Sequence, residues 1–169
     1  MSSFEFEPAP FIPFRDREVI SKCRAIKRED IDKHENPDFR IQVIKDEDLA
    51  FIWFSDLVSR LKLASDADEK VVMILPNPWP GYRHVARIIN RCRINCRNFW
   101  AFAMDEYADQ DGNVAPESWE LGFSHAMLKF LYYEIDEDLR PPREQFVCFS
   151  DVDIDDYSKI LADEGGADV

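Results

Sequence analysis

The sequence has 169 residues and carries 34 Asp and Glu against 21 Lys and Arg, a formal net charge of −13. This length suits one domain, or one domain and an arm, and a composition that is 46% hydrophobic and 13% aromatic is ample for a packed core. The negative charge argues against nucleic acid or an anionic lipid surface as a main partner, since both reward the opposite sign.

The longest apolar stretch, residues 49–54, is far short of the ~20 residues that span a bilayer, so no membrane association is expected. The start, Met1-Ser2-Ser3-Phe4-Glu5, is acidic where a secretory signal is basic, which points to the cytoplasm. Four scattered cysteines, Cys23, Cys92, Cys96 and Cys148, do not make a disulfide framework and read as reduced thiols.

Residues 1–38 read as an N-terminal arm. Phe4, Phe6, Pro8, Pro10, Phe11, Pro13 and Phe14 alternate in a way that forbids a continuous helix yet is too apolar for a free linker. Such an arm suits its own domain or a neighbouring subunit, which makes a homo-oligomer an expectation. Residues 21–33 are charged enough for a short helix, stopped before Pro37.

From residue 39 to 169 the pattern is strand alternating with helix. Residues 39–44 alternate apolar and polar, as a half-covered strand does. A helix follows Asp46 and Asp48, with Ala50, Trp53, Phe54, Leu57 and Leu61 on one face. Residues 71–75, Val-Val-Met-Ile-Leu, suit a strand buried on both faces, and the Pro/Gly loop 76–81 leaves it. The next helix carries Val85, Ile88, Ile89, Cys92 and Cys96 as its apolar stripe. Residues 99–104 form the third strand, and Pro116 opens a long helix running through Trp119, Phe123, Met127, Phe130 and Leu131. Residues 146–149 are a fourth strand, 153–162 a fourth helix, and Gly165-Gly166 a turn toward a further strand. This order predicts right-handed crossovers and a parallel sheet with helices on both faces. Ligands of such sheets bind beyond the carboxyl ends of the strands, which singles out the loop after Leu75 and the acidic turn after Met104.

At that edge Asp105 ends an apolar strand beside Glu106. A partly desolvated carboxylate near a second acid gains proton affinity and can act as a general base; the same residues also fit an ordinary solvated turn. Asp109-Gln110-Asp111-Gly112-Asn113 lacks the ligand spacing of a calcium loop and reads as an Asp-Gly turn. Cys92 and Cys96 read as core packing, no His-x-x-x-His pair occurs, and no metal or cofactor is implied. Arg83, Arg87, Arg91, Arg93 and Arg97 form a basic cluster. A solvated face with acidic neighbours accounts for it, and so does an anion site in which Arg83 and His84 lie in the first helical turn.

The run Phe102-Ala103-Met104-Asp105-Glu106-Tyr107, followed by Pro116-Glu117-Ser118-Trp119, resembles the Met-Asp-Glu-Tyr and Pro-Glu-Ser-Tyr segments of the glucosamine-6-phosphate deaminase/isomerase family. The Leu75-Pro76 turn upstream and the Asp153-Ile154-Asp155 helix start match in order, and the resemblance runs over roughly residues 39–165. It implies a three-layer, Rossmann-like α/β sugar-phosphate fold, apparently incomplete at the C-terminus, and amino-sugar chemistry in which Asp105 takes the C2 proton of the opened sugar. Asp105 and Glu106 are then the expected catalytic pair. Asn77, Trp79, Gly81, Arg83, His84 and Tyr107 are expected to face a sugar or sugar phosphate. Two departures stand out. The family's phosphate loop, Leu-Pro-Thr-Gly-Gly-Thr-Pro, is here Leu75-Pro76-Asn77-Pro78-Trp79-Pro80-Gly81, in which Pro78 and Pro80 have no N–H to donate. The family's Gly-rich, His-bearing segment would begin beyond Val169, so this stretch is expected to supply the first half of a site. A catalytically silent sugar-binding homologue and a phosphogluconolactonase-like hydrolase are the alternatives.

Overall fold

A computed structural model describes residues 14–76, 79–150 and 154–169. Residues 14–45 and 46–169 belong to separate compact units. The Phe/Pro alternation up to Pro13 lies outside the described residues.

In the first unit, helix α1 (Arg17–Ala25) is capped by Asp16, whose Oδ1 accepts from the N–H groups of Glu18 and Val19 at 2.9 and 3.1 Å. A single 3-10 turn follows at Arg28–Asp30. Residues 39–45 have no regular secondary structure, which corrects the strand expected at 39–44. Alternation makes a strand only where another edge accepts its backbone hydrogen bonds, and no described strand pairs with this segment; Phe39 and Val43 stay exposed.

The second unit starts at Asp46, the first residue of α2 (Asp46–Ala67). Then come β1 (Val71–Leu75), α3 (Tyr82–Cys92), β2 (Phe99–Ala103), α4 (Phe123–Phe130), β3 (Phe146–Val147) and α5 (Ile154–Asp163). The strands are parallel in the order β1-β2-β3, with Val71 opposite Phe99 and Ala101 opposite Phe146. Side chains alternate between two apolar layers, as strand geometry requires. Val71, Met73, Leu75, Phe99, Ala101, Ala103 and Phe146 pack with Leu57 and Leu61 of α2, Val85, Ala86 and Ile89 of α3, and Met127 and Leu128 of α4. On the opposite face Val72, Phe102 and Val147 pack with Tyr157, Ile160 and Leu161 of α5. The sheet is therefore sandwiched between helices, the expected three-layer arrangement.

Beyond α5 the chain turns at Gly165 and Gly166, whose φ angles of 96° and 84° lie where only glycine sits readily. Their N–H groups close the helix onto Ala162 and Leu161. The last residues then follow β1: Asp168 N–H donates to Val72 O at 2.8 Å and Ile74 N–H to Val169 O at 3.0 Å. The Val71 N–H and the Leu75 carbonyl bond toward β2, so the even-numbered residues of β1 face its other edge, where the turn expected at Gly165-Gly166 brings residues 168–169 without the regular strand that was expected to follow. Residues 168–169, β1, β2 and β3 thus lie side by side in that order.

Two local expectations change. The helix expected from Pro116 begins at Phe123, because 116–122 form two successive turns (Trp119 N–H to Pro116 O, Gly122 N–H to Trp119 O, both 2.9 Å). α3 ends at Cys92 with Arg93 left-handed at φ 53°, so Cys96 lies off the helix. Cys92 is exposed, while Cys96 is buried and its thiol is pushed up to about 12 by burial. The Asp153 start of the last helix lies outside the described residues.

The end of β2 is held by Tyr157, whose hydroxyl donates to Ala103 O at 2.6 Å from the opposite face. Tyr157→Phe leaves that carbonyl unpaired, at an expected cost of about 1–3 kcal/mol. Urea denaturation should show a lower midpoint with an unchanged slope.

Candidate active site at the carboxyl ends of β1 and β2

Parallel pairing brings the exits of β1 and β2 together, and Met104 N–H donates to Leu75 O at 3.0 Å just past both strands. Two buried tyrosines pin this edge. Tyr157 holds Ala103 O, and the Tyr82 hydroxyl reaches Pro76 O at 3.3 Å. Burial pushes both phenols up to about 12, so each stays a protonated donor.

The adjacent carboxylates have different surroundings. Glu106 turns inward onto the start of α4: its Oε1 accepts from Phe123 N–H at 2.9 Å and its Oε2 from Ser124 N–H at 2.6 Å. Tyr107 N–H adds a third bond at 2.9 Å. Burial works against the charge, but the hydrogen bonds from Ser124, Phe123 and Tyr107 outweigh it and hold the carboxyl below its ordinary range. A negative charge capping a helix N-terminus is favourable on both counts, donors and dipole. This cap explains why α4 starts at Phe123; the remote carboxylate overrides the local signal of Pro116.

Asp105 is not held in this way. It is exposed and makes no hydrogen bond among the described residues. Partial burial, then the neighbouring Glu106 charge, raises its proton affinity above that of an ordinary aspartate. A carboxylate with raised proton affinity at the carboxyl end of a strand is chemically suited to receive a proton.

The segment beyond is tied back to this edge. Ala108 bridges Val114, Ala115 N–H donates to Tyr107 O at 2.9 Å, and Asp109 Oδ1 accepts from the N–H groups of Asp111 and Asn113, both at 2.9 Å. It is the expected Asp-Gly turn, with Gly112 at φ 85°. Tyr107 lies across Phe123, ring centroids 4.5 Å apart, with Trp119 edge-on at 5.6 Å.

The other expected site residues are distributed unevenly. Asn77 lies outside the described residues. Trp79 sits at the mouth of β1 against Phe54 of α2, centroids 5.5 Å apart. Gly81 serves that packing, since a Cβ there would fall 2.7 Å from Phe54 Cζ. Arg83 is drawn to α4 and the turn after it, pairing Glu134 at 3.1 Å and lying 4.6 Å from the centre of the Phe130 ring. His84 is exposed in the first turn of α3. Of the remaining cluster, Arg93 pairs with Asp136 and Asp138, and Arg97 with Asp68. The sequence pattern reads Phe54 only as part of a helix's apolar face and does not single out Tyr82, yet Phe54 packs on Trp79 and on Tyr82, ring centroids 5.5 and 5.8 Å apart. Among the described residues no three His, Cys, Asp or Glu side chains converge on a metal position, and no helix is long and apolar enough to cross a membrane.

No family model matches the chain, and no curated protein matches it. Among solved structures it is similar to a monomeric glucosamine-6-phosphate deaminase described as a missing link of the NagB superfamily. The TM-score is 0.52 at 16% identity, over 68% of this chain and 48% of that one. The likeness is one of fold. The chain spans about half the length of that enzyme, whose fold is α/β like the one described here.

Glu106→Ala removes the cap of α4 and is expected to cost about 1–2 kcal/mol. Because the folded state lowers the Glu106 proton affinity, its contribution is present above the unfolded carboxylate range and is lost as pH falls through the folded value. Urea titrations of wild type and variant should therefore differ at neutral pH and converge in acid.

Proposed function

We propose that this chain carries the base-bearing part of an amino-sugar isomerase/deaminase of the glucosamine-6-phosphate deaminase type, with Asp105 as the general base. The single observation behind this reading is the carboxylate of Asp105 directly after β2 at the carboxyl edge of the sheet, without a hydrogen bond among the described residues and with its proton affinity raised by partial burial and by Glu106. The similarity of fold to a glucosamine-6-phosphate deaminase supports the substrate class, as does the Met104-Asp105-Glu106-Tyr107 run.

In the proposed step Asp105 takes the proton from C2 of the opened amino sugar. The C–H electron pair forms the C1=C2 double bond, and the O1 oxygen gains a proton as its carbonyl becomes an enol. Reprotonation at C1 gives a 2-imino compound, and water then replaces the nitrogen at C2, releasing ammonia and leaving the ketose. Glu106 acts as a positioning residue, since its carboxylate is held by three backbone N–H groups. A second reading, a sugar-binding homologue without turnover, is favoured by the missing donors at Pro78 and Pro80.

The test is exchange of the C2 proton in D2O, followed by NMR on glucosamine and on its 6-phosphate. Wild type is expected to exchange at least one, and Asp105→Asn to lose about 10²-fold or more. A base must be deprotonated, so the rate should fall as pH drops through the Asp105 value, which partial burial and Glu106 raise from that of an ordinary aspartate. The raised affinity also means that any stability contribution of Asp105 is present below its unfolded value and lost as pH rises. Asp105→Asn should therefore not destabilise the fold at neutral pH. Undiminished exchange in Asp105→Asn sinks the assigned role, and wild-type binding without exchange favours the silent homologue.

A further inference from the structure

The entry to α3 offers few free donors to a phosphate. Pro78 and Pro80 carry no N–H, and the donors that follow are already satisfied: Tyr82 N–H bonds Trp79 O at 2.9 Å, Arg83 N–H bonds Pro80 O at 3.3 Å, and His84 N–H bonds Gly81 O at 2.8 Å. A helix start whose first-turn donors are closed internally is a poor anion site. The nearby guanidinium is equally engaged, since Arg83 pairs with Glu134 at 3.1 Å and lies over Phe130. An exposed imidazole, His84, is left in that turn, while Asp105 and Glu106 leave the adjacent strand and would repel a dianion.

An aromatic platform stands where a cradle would be. Phe54 fills the space beside Gly81 and supports Trp79, which remains 45% exposed at the mouth of β1. A tryptophan held from one side and open on the other offers an apolar surface to the C–H groups of a sugar.

We infer that the site takes an unphosphorylated amino sugar whose end remote from C2 rests on the Trp79 ring. This rests on the reading of the Asp105 edge as a sugar site and names the substrate class within it.

Calorimetric titration of the full chain with glucosamine, glucosamine-6-phosphate and inorganic phosphate, alongside tryptophan fluorescence, tests it. Glucosamine should bind and perturb the fluorescence, the 6-phosphate should bind no more than about threefold tighter, and inorganic phosphate should not compete. Trp79→Ala should weaken glucosamine by several-fold, up to about tenfold, and Trp79→Phe, which keeps an aromatic on Phe54, should recover most of the loss; circular dichroism of both variants reports the fold. A 6-phosphate at least about tenfold tighter than the free sugar overturns the inference and leaves the proposed function standing. Equal affinities with an unchanged Trp79→Ala variant also overturn it. Failure of both sugars to bind a folded chain overturns the inference and the sugar-site reading together.

Discussion

Handedness of the parallel crossover is the constraint on which the second unit depends. A strand, helix, parallel strand unit closes right-handed because a twisted strand feeding a right-handed helix packs back onto the sheet only that way. Moving from β1 to β2 to β3 in one direction puts α3 and α4 on one face; returning from β3 past β1 puts α5 on the other. The strand order reverses beside β1, where residues 168–169 join its free edge. In open α/β sheets the carboxyl ends of the strands beside such a reversal are where ligands generally bind.

What stands at the carboxyl ends of β1 and β2 is set by hydrogen bonds at specific carbonyls and amides. Tyr82 and Tyr157 each hold a strand-end carbonyl. Glu106 links the β2 exit to the start of α4, so that the turn bearing Asp105 is fixed from both sides. Two adjacent carboxylates are thereby driven in opposite directions. One is stabilised as an anion by three backbone donors, while the other, lacking them, is made more basic by burial and by its neighbour.

The acidity of the chain sharpens the question of what an anionic ligand would meet. Several arginines that looked available in the sequence are committed to acids in the fold: Arg83 to Glu134, Arg93 to Asp136 and Asp138, Arg97 to Asp68. Exposed pairs of this kind add little stability, but they lower the positive charge on offer at the surface. The Arg83 pair matters most because it turns the guanidinium toward α4.

Much of the fold could be read from the residues. The apolar run at Val71–Leu75, the stripe of Leu57 and Leu61, and the strand at Phe99 declare themselves because burial on both faces or on one leaves a period in the sequence. So does the Asp105 position, since an acid that ends an apolar strand sits at the sheet's edge. Other features depend on groups distant in sequence. Residues 39–44 alternate but find no described partner edge; Pro116 signals a helix start that Glu106 moves to Phe123; Cys96 falls off the stripe because Arg93 ends α3 in a left-handed turn. The sequence by itself determined the fold class and placed Asp105 and Glu106 at the end of an apolar strand, because these follow from local burial periodicity. Only the tertiary structure decided which of Asp105 and Glu106 is free, where Arg83 points and what fills the space beside Gly81. Each of those depends on contacts between segments that no local pattern encodes.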